Sequence, residues 1–279
     1  MINNEYEGKV VVITGGSSGI GLAIAKEFAL RKAKMVLISR NKEKLIQAKN
    51  ELEKINGIPS SVFYYPADVS DKEQINMVIL KIGEKFNGID VLINSAGIIT
   101  SGRFADQPIQ DLESCLFTNY LGAVYSTKAA WPWLKKNKGL LSFVSSVAGY
   151  AGFIGYSSYA PPKFAMTGLA ECLRLEAKDD GIRISIIYPP DTETPLLEYE
   201  RKHSLPESIA LNKNIKTITA ERVAHVFMAG LQKNKFEIYC DFNSRFVRWM
   251  KNTIPGLFSR ITDSIILRER NRLSRRPNL

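Results

Sequence analysis

Short apolar runs alternate with longer amphipathic stretches from the start of the chain to about position 188. The run KVVVIT at 9–14 is continuous and β-branched, which suits a strand covered on both faces. Similar runs lie at 35–38, 62–66, 91–94, 140–145 and 182–188. Between them, 21–31 carries Leu22, Ala25, Ala29 and Leu30 at helical spacing, and 42–55 does so through Leu45, Ala48, Leu52 and Ile55. Further helices are predicted at 71–86, 111–136 and 160–179. Continuous rather than alternating strands, each followed by a helix, predict an α/β protein. Its expected form is a doubly wound, Rossmann-type parallel sheet with helices on both faces.

The pattern then changes. Residues 195–218 read as irregular, with Leu196, Leu197, Leu205 and Ile209 scattered through them, and are expected to form a lid or a surface loop. From 242 onward Phe242, Phe246, Trp249 and Met250 recur at helical spacing, and Leu257, Ile261, Ile265 and Ile266 resume the stripe after Pro255. The chain is therefore divided into 1–241 and a basic amphipathic helical extension, 242–279.

Composition matters here mainly through charge. The net charge is +10, and nine lysines and arginines against Asp263 and Glu269 place most of it in the extension. A basic helix with Trp and Phe on its apolar side suits an anionic membrane surface; packing on the body or on a dimer partner is the competing expectation. No nucleic-acid motif accompanies the charge, so no nucleic acid is expected. No apolar stretch approaches the ~20 residues of a membrane span. No basic-then-apolar leader is seen in MINNEYEGKVVVITGG. The expected location is cytoplasmic, peripheral to the cytoplasmic face of a membrane. Cys115, Cys172 and Cys240 are odd in number and far apart, which predicts reduced core thiols. Neither His203, expected in a loop, nor His225, expected in a helix, has partners at metal-ligand spacing, so no metal is expected.

The candidate chemistry begins with TGGSSGIG between the first strand and the first helix. Glycines there permit a tight turn and bring backbone close to a pyrophosphate, which meets the free N–H groups of the helix. The cofactor residues assigned to this turn are Gly15, Ser17, Ser18, Gly19, Ile20 and Gly21. After the second strand comes Ser39-Arg40. An acidic residue here would bind the ribose of NAD, whereas a basic one favours the 2′-phosphate of NADP, so the expected cofactor is NADPH. Tyr159 and Lys163 lie one helical turn apart on one face. A nearby ammonium lowers a tyrosine pKa from about 10, and a tyrosine so tuned can protonate a carbonyl oxygen.

The spacing G-x3-G-x-G after Thr14, with Ser146 thirteen positions before Tyr159 and the Tyr-x3-Lys pair, resembles the short-chain dehydrogenase/reductase family over about residues 8–230. The resemblance implies a catalytic set of Asn119, Ser146, Tyr159 and Lys163. Ser146 would orient the substrate, and Asn119 would support a water relay to the lysine. Lys163 would contact the nicotinamide ribose. It also implies cofactor contacts at Asp68 and Val69, at Asn94, Ala96 and Gly97 of the turn NSAG, and at Pro189 and Thr194. The usual YSASK is replaced by Tyr159-Ala160-Pro161-Pro162-Lys163. Proline is tolerated only in a first helical turn, so this helix is predicted to begin close to Tyr159. Pairing through the helices at 111–136 and 160–179 implies a homodimer or homotetramer.

A closer similarity, carried by YPPDTETP, AGIITSGRF and FVSSVAGYAGFIGY, points to those members of the family that reduce a lipid-like ketone, the C3 ketone of the long-chain aminoketone 3-ketosphinganine. Asp191, with Glu193 second, is the candidate partner of the substrate amine. The alternatives are a reductase of another apolar carbonyl (steroid, retinal or 3-oxoacyl compound) and a catalytically silent, cofactor-binding membrane scaffold.

Overall fold

The structure, a computed structural model, describes residues 4–213 and 215–275. Asn214 of the expected lid, and Arg276 with the end of the basic extension, lie outside the described residues.

Strand β1 (Val10–Thr14) forms with β2 (Lys34–Ser39), β3 (Val62–Pro66), β4 (Val91–Asn94), β5 (Leu140–Val144), β6 (Arg183–Tyr188) and β9 (Glu237–Tyr239) a parallel sheet of order β3-β2-β1-β4-β5-β6-β9. This is the expected doubly wound architecture. Alternate residues of β1 serve the two faces. Val11 and Ile13 join α1 (Gly19–Ala29), α2 (Lys42–Asn56) and α9 (Ala220–Gln232) in one apolar core. Val10 and Val12 join α3 (Lys72–Phe86), α5 (Gly122–Asn137) and α6 (Ala160–Glu176) in the other. Strand order reverses between β2 and β4 on either side of β1, where Thr14 pairs with Ile38 and with Asn94. The crevice beyond these strand ends is where such sheets bind ligands.

Two expectations change. The helix predicted at 111–136 is α4 (Ile109–Leu116), a π turn (Phe117–Leu121) and then α5. The wide turn falls on Asn119, and such turns commonly mark functional positions. The stretch expected to be irregular is largely helical. Thr194 caps α7 (Pro195–His203) by accepting from Leu197 N at 3.3 Å, and α8 (Pro206–Asn212) follows. Their prolines stand at the helix starts, where the missing N–H costs nothing. His203 accordingly ends a helix rather than sitting in a loop. Strand β7 (Thr192–Glu193) pairs with β8 (Ile218–Thr219) and closes this excursion.

The extension forms α10 (Phe242–Thr253) and α11 (Pro255–Ser274). Among the described residues, no helix is long and apolar enough to cross a membrane. One side of α10 packs: Val247 and Met250 are partly buried, and Arg248 reaches Glu237 at 3.2 Å and lies 5.4 Å from the Tyr150 ring centre. The other side does not. Phe242 is 77% exposed, and its ring stacks on Phe246, which stacks on Trp249. Met250, expected on the free stripe, therefore belongs to the packed one. On α11, Phe258 is buried, and Arg270 reaches Glu207 of α8 at 3.3 Å. Of the three free thiols, Cys115 and Cys240 are buried as expected, but Cys172 is exposed on the outer side of α6.

Candidate active site

A cleft of ≈ 530 Å³ opens over the C-terminal ends of β1 to β5. Its floor is the glycine turn. Gly15 has φ 69°, and a Cβ there would lie 2.8 Å from the Ala96 backbone. A Cβ at Gly21 would lie 2.4 Å from the Gly15 carbonyl oxygen. The turn is therefore as tight as bare backbone allows. Thr14 ties it to the turn after β4 by accepting from Ser95 N at 3.2 Å and Ala96 N at 3.3 Å. Ser17 is fixed to the end of β2 by a 2.8 Å hydrogen bond with Ser39.

The start of α1 is open toward the cleft. Ser18 occupies the cap position without a side-chain cap bond, and the first turn, with Gly19, Ile20 and Gly21, carries no acid. Free N–H groups and a positive helix end with no internal anion are the donor set a pyrophosphate needs. Farther along, Ser39 ends β2 and Arg40 follows it, and Lys44 in the first turns of α2 adds a second cation to this corner. Arg40 stands 3.8 Å from Asp68 and is mostly exposed. Asp68 also accepts from Ser70 N at 2.9 Å, which shapes the turn beside Val69. The residues present fit a dinucleotide.

At the reacting end, Tyr159 caps α6, so Pro161 and Pro162 fall in the first turn, as the sequence required. Lys163 follows one turn on, 4% exposed, and donates to the Val144 carbonyl at 2.9 Å. Among the described residues that is one hydrogen-bond acceptor for an ammonium with three N–H groups, and the ammonium lies beside Gly97. Its Nζ is 5.7 Å from the Tyr159 ring centre. Burial lowers the Lys163 pKa to about 8. Burial also pushes the Tyr159 hydroxyl well above its ordinary value; the hydrogen bond to Ser146 opposes this, while Glu200 and Asp191 reinforce it. The lowering expected from Lys163 is not among the influences that set this pKa, and the net direction is upward. Ser146 itself is fixed by accepting from Ala148 N at 3.2 Å.

Asn119, Asn94 and Pro189 stand around the cleft rather than in its wall. Asn119, fully buried in the π turn, clamps the Ile98 backbone, accepting from its N–H at 2.8 Å and donating to its carbonyl at 2.9 Å. Asn94 is buried at the end of β4 and donates to Thr127 at 3.1 Å. The Pro189 carbonyl accepts from Val147 N at 3.2 Å and so holds the Ser146 segment. Gly97, Ala96 and Thr194 do line the cleft. Leu196, expected in the lid, lines the cleft. The sequence reading overlooked Lys44 and Tyr199 in the lining and Glu200 beside it. Lys44 was findable from its place four residues after Arg40. The other two required knowing that α7 exists.

The short chain dehydrogenase family matches residues 9–205 of the chain. The 3-dehydrosphinganine reductase of Danio rerio is 39% identical over 83% of this chain and 71% of its own length. The 3-ketodihydrosphingosine reductase of Bos taurus is 40% identical over 82% of this chain and 70% of its own. Among solved structures, a short-chain dehydrogenase from Sphingobium yanoikuyae in complex with NADPH is 25% identical. It superposes with a TM-score of 0.76 over 90% of this chain and 95% of that one.

Proposed function

The chain belongs to the short-chain dehydrogenase family and is an oxidoreductase; on that premise we propose that it reduces the C3 ketone of 3-ketosphinganine to sphinganine with NADPH. The observation that carries the reading is Tyr159 and Lys163 on the first turns of α6, facing a glycine-walled cleft whose far corner holds Arg40 and Lys44.

NADPH, when bound, supplies hydride to the carbonyl carbon. The N-terminus of α1 would hold its pyrophosphate, and Arg40, Lys44 and Ser39 would take the 2′-phosphate. Ser146 holds the carbonyl oxygen against Tyr159, whose proton passes to that oxygen as charge develops there. Lys163 binds the nicotinamide ribose beside Gly97. Asn119 positions the Ile98 backbone in the cleft wall and leads protons toward Lys163 through water.

Residues 1–241 are the catalytic unit, and 242–279 place it on a lipid surface. Phe242, Phe246 and Trp249 form a stacked, exposed apolar face beside Arg245, and a substrate with a long chain must be collected from a bilayer. Pairing into a homodimer or homotetramer follows the family pattern.

The decisive assay is cofactor oxidation with 3-ketosphinganine in detergent micelles, with NADH substituted for NADPH in one arm. Steroid and 3-oxoacyl ketones run in parallel, and Tyr159→Phe serves as the control. Turnover of the aminoketone with NADPH, reduced at least ~100-fold in the variant, is expected. Turnover of the other ketones alone would discard the sphingoid substrate. Bound NADPH with no turnover of any ketone would favour the scaffold reading.

A further inference from the structure

Beside the substrate side of the cleft, behind the residues that line it, stand two carboxylates that the reaction above does not use. Asp191 follows Pro189 and Pro190 at the end of β6, and its backbone carbonyl accepts from Ile218 N at 3.0 Å, which ties it to the β7–β8 pair. Glu200 lies on α7 and accepts a hydrogen bond from the Tyr156 hydroxyl. The Tyr156 ring in turn meets the Tyr159 ring edge-on, with centres 6.1 Å apart. Glu193, the second acid of the sequence reading, is exposed and plays no part in this arrangement.

Two carboxylates by themselves would be a solvated feature of the surface. Glu200 is joined through Tyr156 to the tyrosine whose proton the reaction uses, and the charges of both carboxylates raise the pKa of that tyrosine. Both are half-buried, and Glu200 is bonded to Tyr156 of an apolar cluster that also holds Ile99, Ala148, Tyr159 and Ala160, with Leu196 beside it. Burial pushes both carboxyls above the usual range, and at Glu200 the charge of Asp191 adds to it. The cation facing them is Arg201, which is exposed and donates to Thr217 at 2.8 Å. Half-buried acids with so little compensation are stabilised by a cation that arrives in the cleft.

We propose that Glu200, positioned by Tyr156, and Asp191 form a subsite for a substrate ammonium group next to the reacting carbonyl. This rests on the reading of the protein as a reductase of an aminoketone and names the residues that select the amine. The subsite acts twice. It binds the cation, and the bound cation cancels the negative field at Tyr159, so that the proton leaves more readily when the correct substrate is in place.

The test compares 3-ketosphinganine with the same ketone lacking the amine, both in neutral micelles. The wild-type protein, Glu200→Gln and Asp191→Asn are measured for kcat and KM, and each is titrated with NADPH to show that it is folded. The wild-type protein is expected to prefer the aminoketone. Glu200→Gln is expected to cut the ratio of kcat/KM for the two ketones at least ~10-fold, through both KM and kcat, with Asp191→Asn acting in the same direction. A wild-type preference retained in both folded variants overturns the subsite alone. A wild-type preference for the uncharged ketone overturns the subsite together with the substrate assignment.

Discussion

The cofactor side of the cleft is made of backbone at the ends of β1 to β4, whereas the substrate side is made of side chains on α7 and on the segment leading into α6. On the first side, position follows from the sheet: Thr14, Ser39 and Asn94 end hydrogen-bonded strands, and Gly15 and Gly21 stand closest to main chain. On the second, position depends on pairs distant in sequence, such as Tyr156 with Glu200 and Gly155 with Ser208. A phosphate can be held by any chain that brings N–H groups to a helix start. A particular ketone can be chosen only by particular side chains. The first arrangement is therefore general to the fold, and the second is where one member differs from another.

The harshest way to test this contrast is to add one carbon to the backbone side. Gly21→Ala puts a Cβ 2.4 Å from the Gly15 carbonyl oxygen, and neither atom belongs to a flexible side chain. NADPH affinity, followed by fluorescence titration, is expected to fall more than ~100-fold, about 3 kcal/mol. Affinity within about threefold of wild type would mean that the turn is not held by close backbone contact.

The same contrast explains what could be read from the sequence. Strands β1, β2, β4, β5 and β6 were legible because they are largely buried on both faces and so are continuous apolar runs; β3, half-buried at the sheet edge, was legible from its aromatic run, and the glycine turn and the Tyr–Lys pair are local patterns. The start of α6 was legible because Pro161 and Pro162 tolerate only a first turn. Helices α7 and α8 were not legible, since PLLEYERKH and PESIALN bury few residues and begin with a proline that also signals a loop. Strand β9 has three residues, too few for a pattern. Glu200 was hidden for a related reason: in the sequence it is one acid in a charged helix, and its partner Tyr156 lies 44 positions away. The extension was half legible. Its amphipathic stripe is real, but Met250 and Val247 face the body while Phe246 and Trp249 face outward.

That division makes the extension testable without unseating it. Deleting 242–279 would uncover the surface that Phe258 and Arg248 cover, and so would confuse binding with stability. Phe246→Ser combined with Trp249→Ser changes only the outward face. Sedimentation with vesicles containing phosphatidylserine is expected to show roughly 10–100-fold weaker binding, since each aromatic side chain contributes of order 1.5–3 kcal/mol when fully buried and less at an interface. Equal sedimentation of both forms would leave α10 as a packing element alone.

The smallest effect sharpens the comparison from within the catalytic pair. Lys163 is placed by the fold on the cofactor side, yet its charge is costly there, because burial lowers its pKa to about 8 from an ordinary 10.5. Between those two values the unfolded chain binds more protons than the folded one, so stability rises with pH across that window. Below pH 8 the whole cost of the buried ammonium is present; near 10.5 it is gone. The displacement corresponds to roughly 3 kcal/mol. Lys163→Met removes it but also removes the hydrogen bond to the Val144 carbonyl, worth about 1 kcal/mol. The variant is therefore expected to be inactive yet more stable than wild type by about 1–2 kcal/mol at pH 7. Urea unfolding at neutral pH and at successive steps up to the ordinary lysine pKa should show that advantage shrinking and then reversing. A difference independent of pH would mean that the lysine carries no strained charge, and that its place in the site costs the fold no more than any glycine of the cradle does.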